Sequence, residues 1–308
     1  MSAEPRRLRI FVAHPSEVLT DHLPNGDGLV SFSFLRRLAE RGHELHVAAQ
    51  KVEVRADLPP NMHIHRLSPR GGSATVDRLV FMVRMRLLFE RLRRSMHFDL
   101  IHQMNPVFTG LSLSLIGARP PLVLGTFVPQ WAPYADESDA AARQGRPAFR
   151  HGLRDAISRL QQSRASGLLI ATPQAISRIQ DAPALRERIY EVPHGIDMSR
   201  FVERTAVPTR RSVLFLSHVI RRKGVFTLVE AFGLVARAIP DAELLIVGGG
   251  SDLEEIRRLA AAQVGARITF HGAVPRPEVQ GLMHAHSVYC LPSHGEPFAT
   301  SVLEAMAC

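Results

Sequence analysis

Two glutamates, Glu296 and Glu304, stand eight residues apart in the run Leu-Pro-Ser-His-Gly-Glu-Pro-Phe-Ala-Thr-Ser-Val-Leu-Glu-Ala-Met-Ala, residues 291–307. An ionised carboxylate only accepts hydrogen bonds, so one placed in a loop can hold a pair of sugar hydroxyls. The run reads as the end of a strand, a turn through Gly295 and a helix starting near Thr300, whose free N–H groups suit a diphosphate. Lys223 is the next candidate. Of 38 cationic residues only Lys51 and Lys223 are lysines, so arginine-rich composition does not explain a lysine there. The triple glycine 248–250 invites a dinucleotide reading, but Leu253 occupies the third glycine's place in G-x-G-x-x-G, and a tight turn is expected. His63 and His65 share a strand face, and His284 and His286 have the same spacing. No further ligand cluster with sensible spacing accompanies either pair, so no metal is expected.

The elements that must position these residues alternate short apolar runs with amphipathic stretches, the pattern of an α/β fold with parallel sheets. Strands are predicted at 9–13, 44–49, 62–67, 98–102, 122–126, 168–171 and 189–192, with helices at 29–41, 76–96, 107–116 and 151–163. A second series follows: strands 212–216, 243–247, 267–271 and 288–291, with helices at 225–239, 253–264 and 278–284. The polar stretch 197–211, with Pro208 and four arginines, is the linker candidate. It divides the chain into domains 1–196 and 197–308. The loop 128–147 is either a mobile lid or a surface excursion.

Composition narrows the function classes. At 308 residues, 45% hydrophobic and 22% charged, the chain has ample length for two cores and is neither disordered nor a disulfide scaffold. Cys290 and Cys308 cannot make a disulfide framework, which fits a reducing, cytoplasmic compartment. The basic start of the chain is followed by an apolar stretch of only strand length, so no signal peptide is read, and no run approaches a transmembrane span. The formal charge of +9 invites nucleic acid, but one Trp and three Tyr supply few stacking platforms, and nucleic-acid binding is not expected.

The run at 291–307 resembles the E-x7-E segment of the retaining GT-B glycosyltransferases, in particular glycosyltransferase family 4. The likeness extends over nearly the whole chain. Val192-Pro-His-Gly-Ile-Asp197 with Phe201 is similar to the family's passage into its donor domain, and Leu216-Ser-His-Val-Ile-Arg-Arg-Lys-Gly224 to its first donor-side strand and loop. Leu245-Ile-Val-Gly-Gly-Gly250 and Ile268-Thr-Phe-His-Gly272 are similar to the next two strand ends. Arg41-Gly-His-Glu-Leu-His-Val47 and Asp99-Leu-Ile-His102 resemble strands of the first domain.

The resemblance implies two doubly wound, Rossmann-like domains facing across a cleft, the first taking the acceptor and the second a nucleotide-diphosphate-sugar. It implies transfer with retention and without an obligatory metal or other cofactor, by a front-face mechanism in which the leaving diphosphate helps deprotonate the acceptor. Lys223 would then be the cation on the diphosphate, Glu296 would contact the transferred sugar and Glu304 the nucleotide ribose. Phe298, Ala299 and Thr300 would bring main-chain amides to sugar and phosphates. Where the family usually has Gly-Arg, with the arginine five residues before the lysine, Ser217 and His218 stand here, so diphosphate binding is differently tuned. Pro297 replaces a frequent glycine and stiffens the loop. The usual Gly-Gly of the first domain is here Asn25-Gly-Asp-Gly28, in which Gly26 or Gly28 would allow close approach of a phosphate. Val128 stands where many members have histidine, leaving that role unfilled or supplied by His102.

The resemblance admits carbohydrate or lipid-linked acceptors. Residues 77–94 carry ten large apolar residues among six arginines and could lie on an anionic membrane surface, or pack as an ordinary helix on the first sheet. The chain stops within the helix that carries Glu304. Further strands and a closing helix are expected of the family beyond it, so this chain is expected to be a C-terminally truncated form, unstable and inactive alone. Two other readings keep the fold: a protein that binds the donor without transfer, and a nucleotide-sugar epimerase.

Overall fold

The computed structural model describes the chain except residues 1–5, 16–17, 24, 69–70, 72, 107–109, 130–147, 207, 264–266 and 297–298. Its two compact units change over between Gly195 and Ile196. The first unit holds a seven-stranded parallel sheet in the order β5-β3-β1-β6-β7-β8-β9. These strands are β1 Arg9–His14, β3 Glu44–Ala49, β5 Met62–Arg66, β6 Leu100–Gln103, β7 Leu122–Phe127, β8 Gly167–Ile170 and β9 Ile189–Glu191. A two-residue pair, β2 Leu19–Thr20 with β4 Val52–Glu53, lies apart from that sheet. Such short strands carry no periodicity and are silent in the sequence.

Alternation along β1 shows why the sheet is covered on both faces. Ile10 and Val12 pack with Phe32 and Leu35 of helix α1, Gly26–Glu40. Phe11 and Ala13 pack on the other face with Phe81, Met85 and Phe89 of α2, Ala74–Leu92. Helix α3, Ala148–Ser163, follows. A single 3-10 segment, Leu111–Leu115, stands where a helix over 107–116 is predicted. It begins at left-handed Gly110, whose N–H donates to the buried Gln161 Oε1 at 2.6 Å.

The second unit is a four-stranded parallel sheet ordered β12-β11-β10-β13. Its strands are β10 Ser212–Leu216, β11 Glu243–Val247, β12 Arg267–Gly272 and β13 Val288–Tyr289. Helices α4 Val225–Ala238, α5 Leu253–Ala261, α6 Val279–Ala285 and α7 Thr300–Met306 alternate with them. Phe215 packs against Val229 and Phe232 of α4, whereas its neighbour Leu214 faces Val279 and Met283 of α6. The stretch read as a linker is fastened to this unit: Phe201 is buried in the α6 core, and the Arg204 N–H donates to the Cys308 carbonyl at 2.8 Å. Its polar composition conceals one apolar anchor. Among the described residues no helix is long and apolar enough to cross a membrane.

Candidate active site

All four strands of the second sheet run parallel, so their carboxyl ends share one edge, and the candidate residues leave from those ends. After β10 the chain passes through exposed His218 to a 3-10 turn, Arg221–Lys223, and then Gly224 at φ 75°. A β-carbon on Gly224 would lie 1.8 Å from the Pro292 carbonyl oxygen. Only glycine lets the loop after β13 pass so close. The same two loops are stitched by Arg222 Nη1 donating to the Gly295 carbonyl at 2.8 Å and by the His294 N–H donating to the Arg222 carbonyl at 3.0 Å.

That stitching brings Lys223 to Glu296. Their side chains form an ion pair, each mostly withdrawn from solvent. The Ser293 hydroxyl lies 3.3 Å from Glu296 Oε2. A cation and a carboxylate therefore stand side by side in this loop.

Glu304 sits one helical segment further on, buried at 2% exposure on α7. Its partner is Arg276, which leaves the loop after β12 and also lies over the Phe201 ring at 5.7 Å. Burial raises the Glu304 carboxyl above the ordinary glutamate range, and the positive charge of Arg276 opposes the shift. Thr300 opens α7, Ala299 is its N-cap, and among the described residues no side chain caps this helix start. The Tyr289 hydroxyl donates to the Leu216 carbonyl at 3.1 Å and lies 2.8 Å from Ser301 Oγ, tying β10 to α7. Phe298 and Pro297 fall outside the described residues.

The glycines after β11 serve the scaffold. A β-carbon on Gly248 would lie 2.0 Å from the Ser217 carbonyl oxygen, and one on Gly250 2.2 Å from that of Val219. The Val219 N–H donates to the Gly249 carbonyl at 3.0 Å. This is a tight turn against the loop that leads to Lys223.

In the first unit Gly26 and Gly28 separate. Gly28 is buried, and an added β-carbon would meet the Val18 carbonyl oxygen at 2.3 Å. Its missing side chain is required by the protein's own backbone. Gly26 is exposed at the start of α1 with open space around it. His102 is likewise reassigned. It is buried, its Nε2 lies 3.1 Å from the Gly125 carbonyl oxygen, and burial lowers its pKa to about 4. The ring is a neutral hydrogen-bonding member of the core and does not replace the histidine missing at Val128.

Sequence reading missed Arg276, Arg222 and Ser293. Arginine is so common in this chain that one more carried no signal, whereas the rarity of lysine drew attention to Lys223. Arg276 was nevertheless placeable, because it follows a strand end in a parallel sheet, where ligands of such folds meet the protein.

Known proteins of similar sequence and structure identify the family. Residues 24–200 match the family model described as Glycosyltransferase Family 4, and residues 199–308 match Glycosyl transferases group 1. Phosphatidyl-myo-inositol mannosyltransferase of Mycobacterium tuberculosis is 33% identical over 138 residues, covering 43% of this chain and 36% of that protein. Mannosylfructose-phosphate synthase of Agrobacterium fabrum is 27% identical over 165 residues, 47% of this chain and 36% of the synthase. The match thus spans about a third of these relatives' length. Among solved structures, sucrose-phosphate synthase of Thermosynechococcus elongatus superposes with a TM-score of 0.68 at 20% identity, covering 98% of this chain and 79% of that one. Anabaena HepE, solved with UDP-glucose, gives 0.67 at 16% identity with the same coverages. These likenesses are to the GT-B fold, and with more than half of its residues under one family model, the chain belongs to glycosyltransferase family 4.

Proposed function

We propose that this protein transfers a hexose from a nucleoside-diphosphate donor to a carbohydrate or lipid-linked acceptor, with retention of configuration and with no metal taking part in the transfer. The observation that carries the reading is the Lys223–Glu296 pair at the sheet edge, with Glu304 held by Arg276 one helix away. On binding, the donor diphosphate takes Lys223, and Glu296 turns its freed oxygens to sugar hydroxyls. Glu304 receives the ribose hydroxyls. The acceptor oxygen bonds to the anomeric carbon on the face from which the diphosphate leaves. The C–O bond to the diphosphate breaks, and a diphosphate oxygen takes the acceptor's proton. Lys223 offsets the charge that develops on the leaving group.

Support for a hexose comes from relatives named as mannosyltransferases and from HepE with UDP-glucose. The relative named for phosphatidyl-myo-inositol supports a lipid-linked acceptor, and so does α2. That helix buries Phe81, Met85, Leu88 and Phe89, yet also exposes Val76, Leu79, Val83 and Leu87 as a stripe one turn apart. With Arg78, Arg84 and Arg91 on the same helix, the stripe suits an anionic bilayer surface on the cytoplasmic side.

The test is a melting-temperature screen of the full chain against GDP-mannose, UDP-glucose and related donors. Transfer to phosphatidylinositol vesicles and the anomeric configuration of the product are then read by NMR. A donor-dependent rise in melting temperature and a retained product support the reading. Absence of any donor response overturns it, and an epimerised free donor would replace it with an epimerase. Sedimentation with phosphatidylglycerol vesicles, lost in Leu79→Ser/Val83→Ser, tests the helix.

A further inference from the structure

At the opposite, amino-terminal end of the first sheet, a second cluster of chemistry-bearing side chains plays no part in the reading above. Glu44 and His46 are two apart on β3 and therefore share a face. The parallel register pairs His46 with His63 and Ala48 with His65, so β5 sends both its histidines to that face as well. One ligand atom each from Glu44, His46 and His63 lies within 4.8 Å of the others. Pairwise scanning of the sequence finds His63 and His65 but not this set, because the pairing of β3 with β5 supplies the remaining ligands.

The hydrogen bonds around the cluster are ordered as a metal site requires. Glu44 Oε2 is held by Arg9 Nε at 2.8 Å, which leaves Oε1 pointing at His46 Nε2, 3.2 Å away. Two ligands of one tetrahedral zinc ion, with bonds of about 2.0–2.1 Å, stand roughly 3.4 Å apart. His46 Nδ1 lies 3.1 Å from His65 Nε2, with the ring planes 13° apart. A ligating histidine is oriented by a hydrogen bond at its other ring nitrogen, a role His65 would fill here, and a ligating carboxylate by a hydrogen bond to its second oxygen. The third ligand, His63, is exposed and lines a groove of about 640 Å³ with Glu44, His97 and Asp99. The groove supplies an entry path, and a rotation of the His63 side chain closes the set.

The geometry points to a binding site for a divalent transition metal of the zinc class, ligated by Glu44, His46 and His63, with Arg9 and His65 as orienting partners and the fourth position open to the groove. Imidazole and carboxylate donors select such ions over magnesium or calcium. Because β5 is an edge strand of the sheet, the ion would clasp that edge to β3 and act on stability, separate from sugar transfer.

The full chain, stripped with a chelator and dialysed, is titrated with Co(II) and then Zn(II). Bound metal is counted after gel filtration and melting is recorded throughout. One Co(II) per chain with tetrahedral visible bands, displaced by zinc, and a zinc-dependent rise in melting temperature are expected. His63→Ala and Glu44→Gln should each weaken zinc at least tenfold, His65→Ala roughly 10–100-fold as an orienting partner, and His284→Ala not at all. A wild-type chain that retains no metal overturns the assignment. So does unchanged binding in both His63→Ala and Glu44→Gln, which would place the metal on other histidines. His63→Ala keeps the test open to refutation even if Glu44→Gln unfolds, since His63 is exposed and its circular dichroism should match wild type.

Discussion

Replacing Arg276 with methionine keeps an unbranched side chain and removes the guanidinium that holds Glu304 and lies over Phe201. Breaking one side of a buried ion pair costs about 3–5 kcal/mol. Arg276 keeps 19% of its side chain exposed against 2% for Glu304, so about 2–3 kcal/mol is expected at neutral pH, since water still reaches one partner. The stranded carboxyl can escape by taking a proton, and this gives the loss a pH signature. Burial already raises the folded Glu304 value above its unfolded one. The folded chain therefore holds that proton more firmly, and the penalty is absent in acid, grows as pH rises through the folded value and is constant above it. Without Arg276 the folded value rises further and the window extends upward. The deficit of Arg276→Met relative to wild type should thus be small near pH 5 and grow by at most about 1.4 kcal/mol per unit towards neutrality. Urea unfolding followed by far-UV circular dichroism at several pH values between 5 and 8 reads this directly. On a Glu304→Gln background the same substitution should cost far less, because no charge is left to strand. A pH-independent deficit, or an equal deficit on both backgrounds, would refute the reasoning.

Lys223→Ala should weaken nucleotide-sugar binding, measured calorimetrically, by roughly 1.5–3 kcal/mol, the value of a charge-assisted hydrogen bond, and unchanged affinity would remove Lys223 from the diphosphate. Glu304→Gln is expected to weaken both free nucleoside diphosphate and nucleotide-sugar, whereas Glu296→Gln should impair only the sugar-bearing donor; identical patterns would show the two roles to be wrongly divided. Gly224→Ala and Gly28→Ala should each destabilise the chain by about 2 kcal/mol or more, since each drives a β-carbon into a carbonyl oxygen. Gly26→Ala should change stability by less than about 0.5 kcal/mol, and a comparable loss there in thermal melts would contradict the open space around that residue.

The fold was largely legible because buried parallel strands leave continuous apolar runs, and β3, β10 and β11 begin and end where those runs do. What escaped has a common cause. The pair β2 and β4 is too short for any period, the segment at 111–115 is set by Gly110 and a distant Gln161, and Phe201 is one apolar residue in a polar stretch. Each is fixed by a tertiary partner that no local window contains. The site divides in the same way. Glu296, Glu304 and Lys223 belong to contiguous strings with their own strand-loop-helix context, while Arg276 and Ser293 acquire meaning only from the neighbours the sheet order gives them. Gly28 shows a second demand that the string alone conceals: its bare Cα is also needed beside the Val18 carbonyl.

The pairing of Lys223 with Glu296 also bears on how a donor would be bound. Both side chains are mostly withdrawn from water, so neither can be left unpaired without a desolvation cost. A diphosphate that takes Lys223 therefore has to be accompanied by something that satisfies Glu296, and in the proposed complex the sugar hydroxyls do so. A nucleoside diphosphate lacking the sugar would release Glu296 with the Ser293 hydroxyl beside it and no sugar hydroxyls to replace Lys223. Discrimination in favour of the intact donor then arises from an ion pair of the free protein, in addition to contacts made in the complex. The two glutamates differ here in kind. Glu304 is held by a cation that the donor diphosphate is not required to displace, so its orientation is set before binding. In the proposed complex Glu296 would become available to the sugar as the phosphate takes Lys223, and this would couple recognition of the two ends of the bond to be broken.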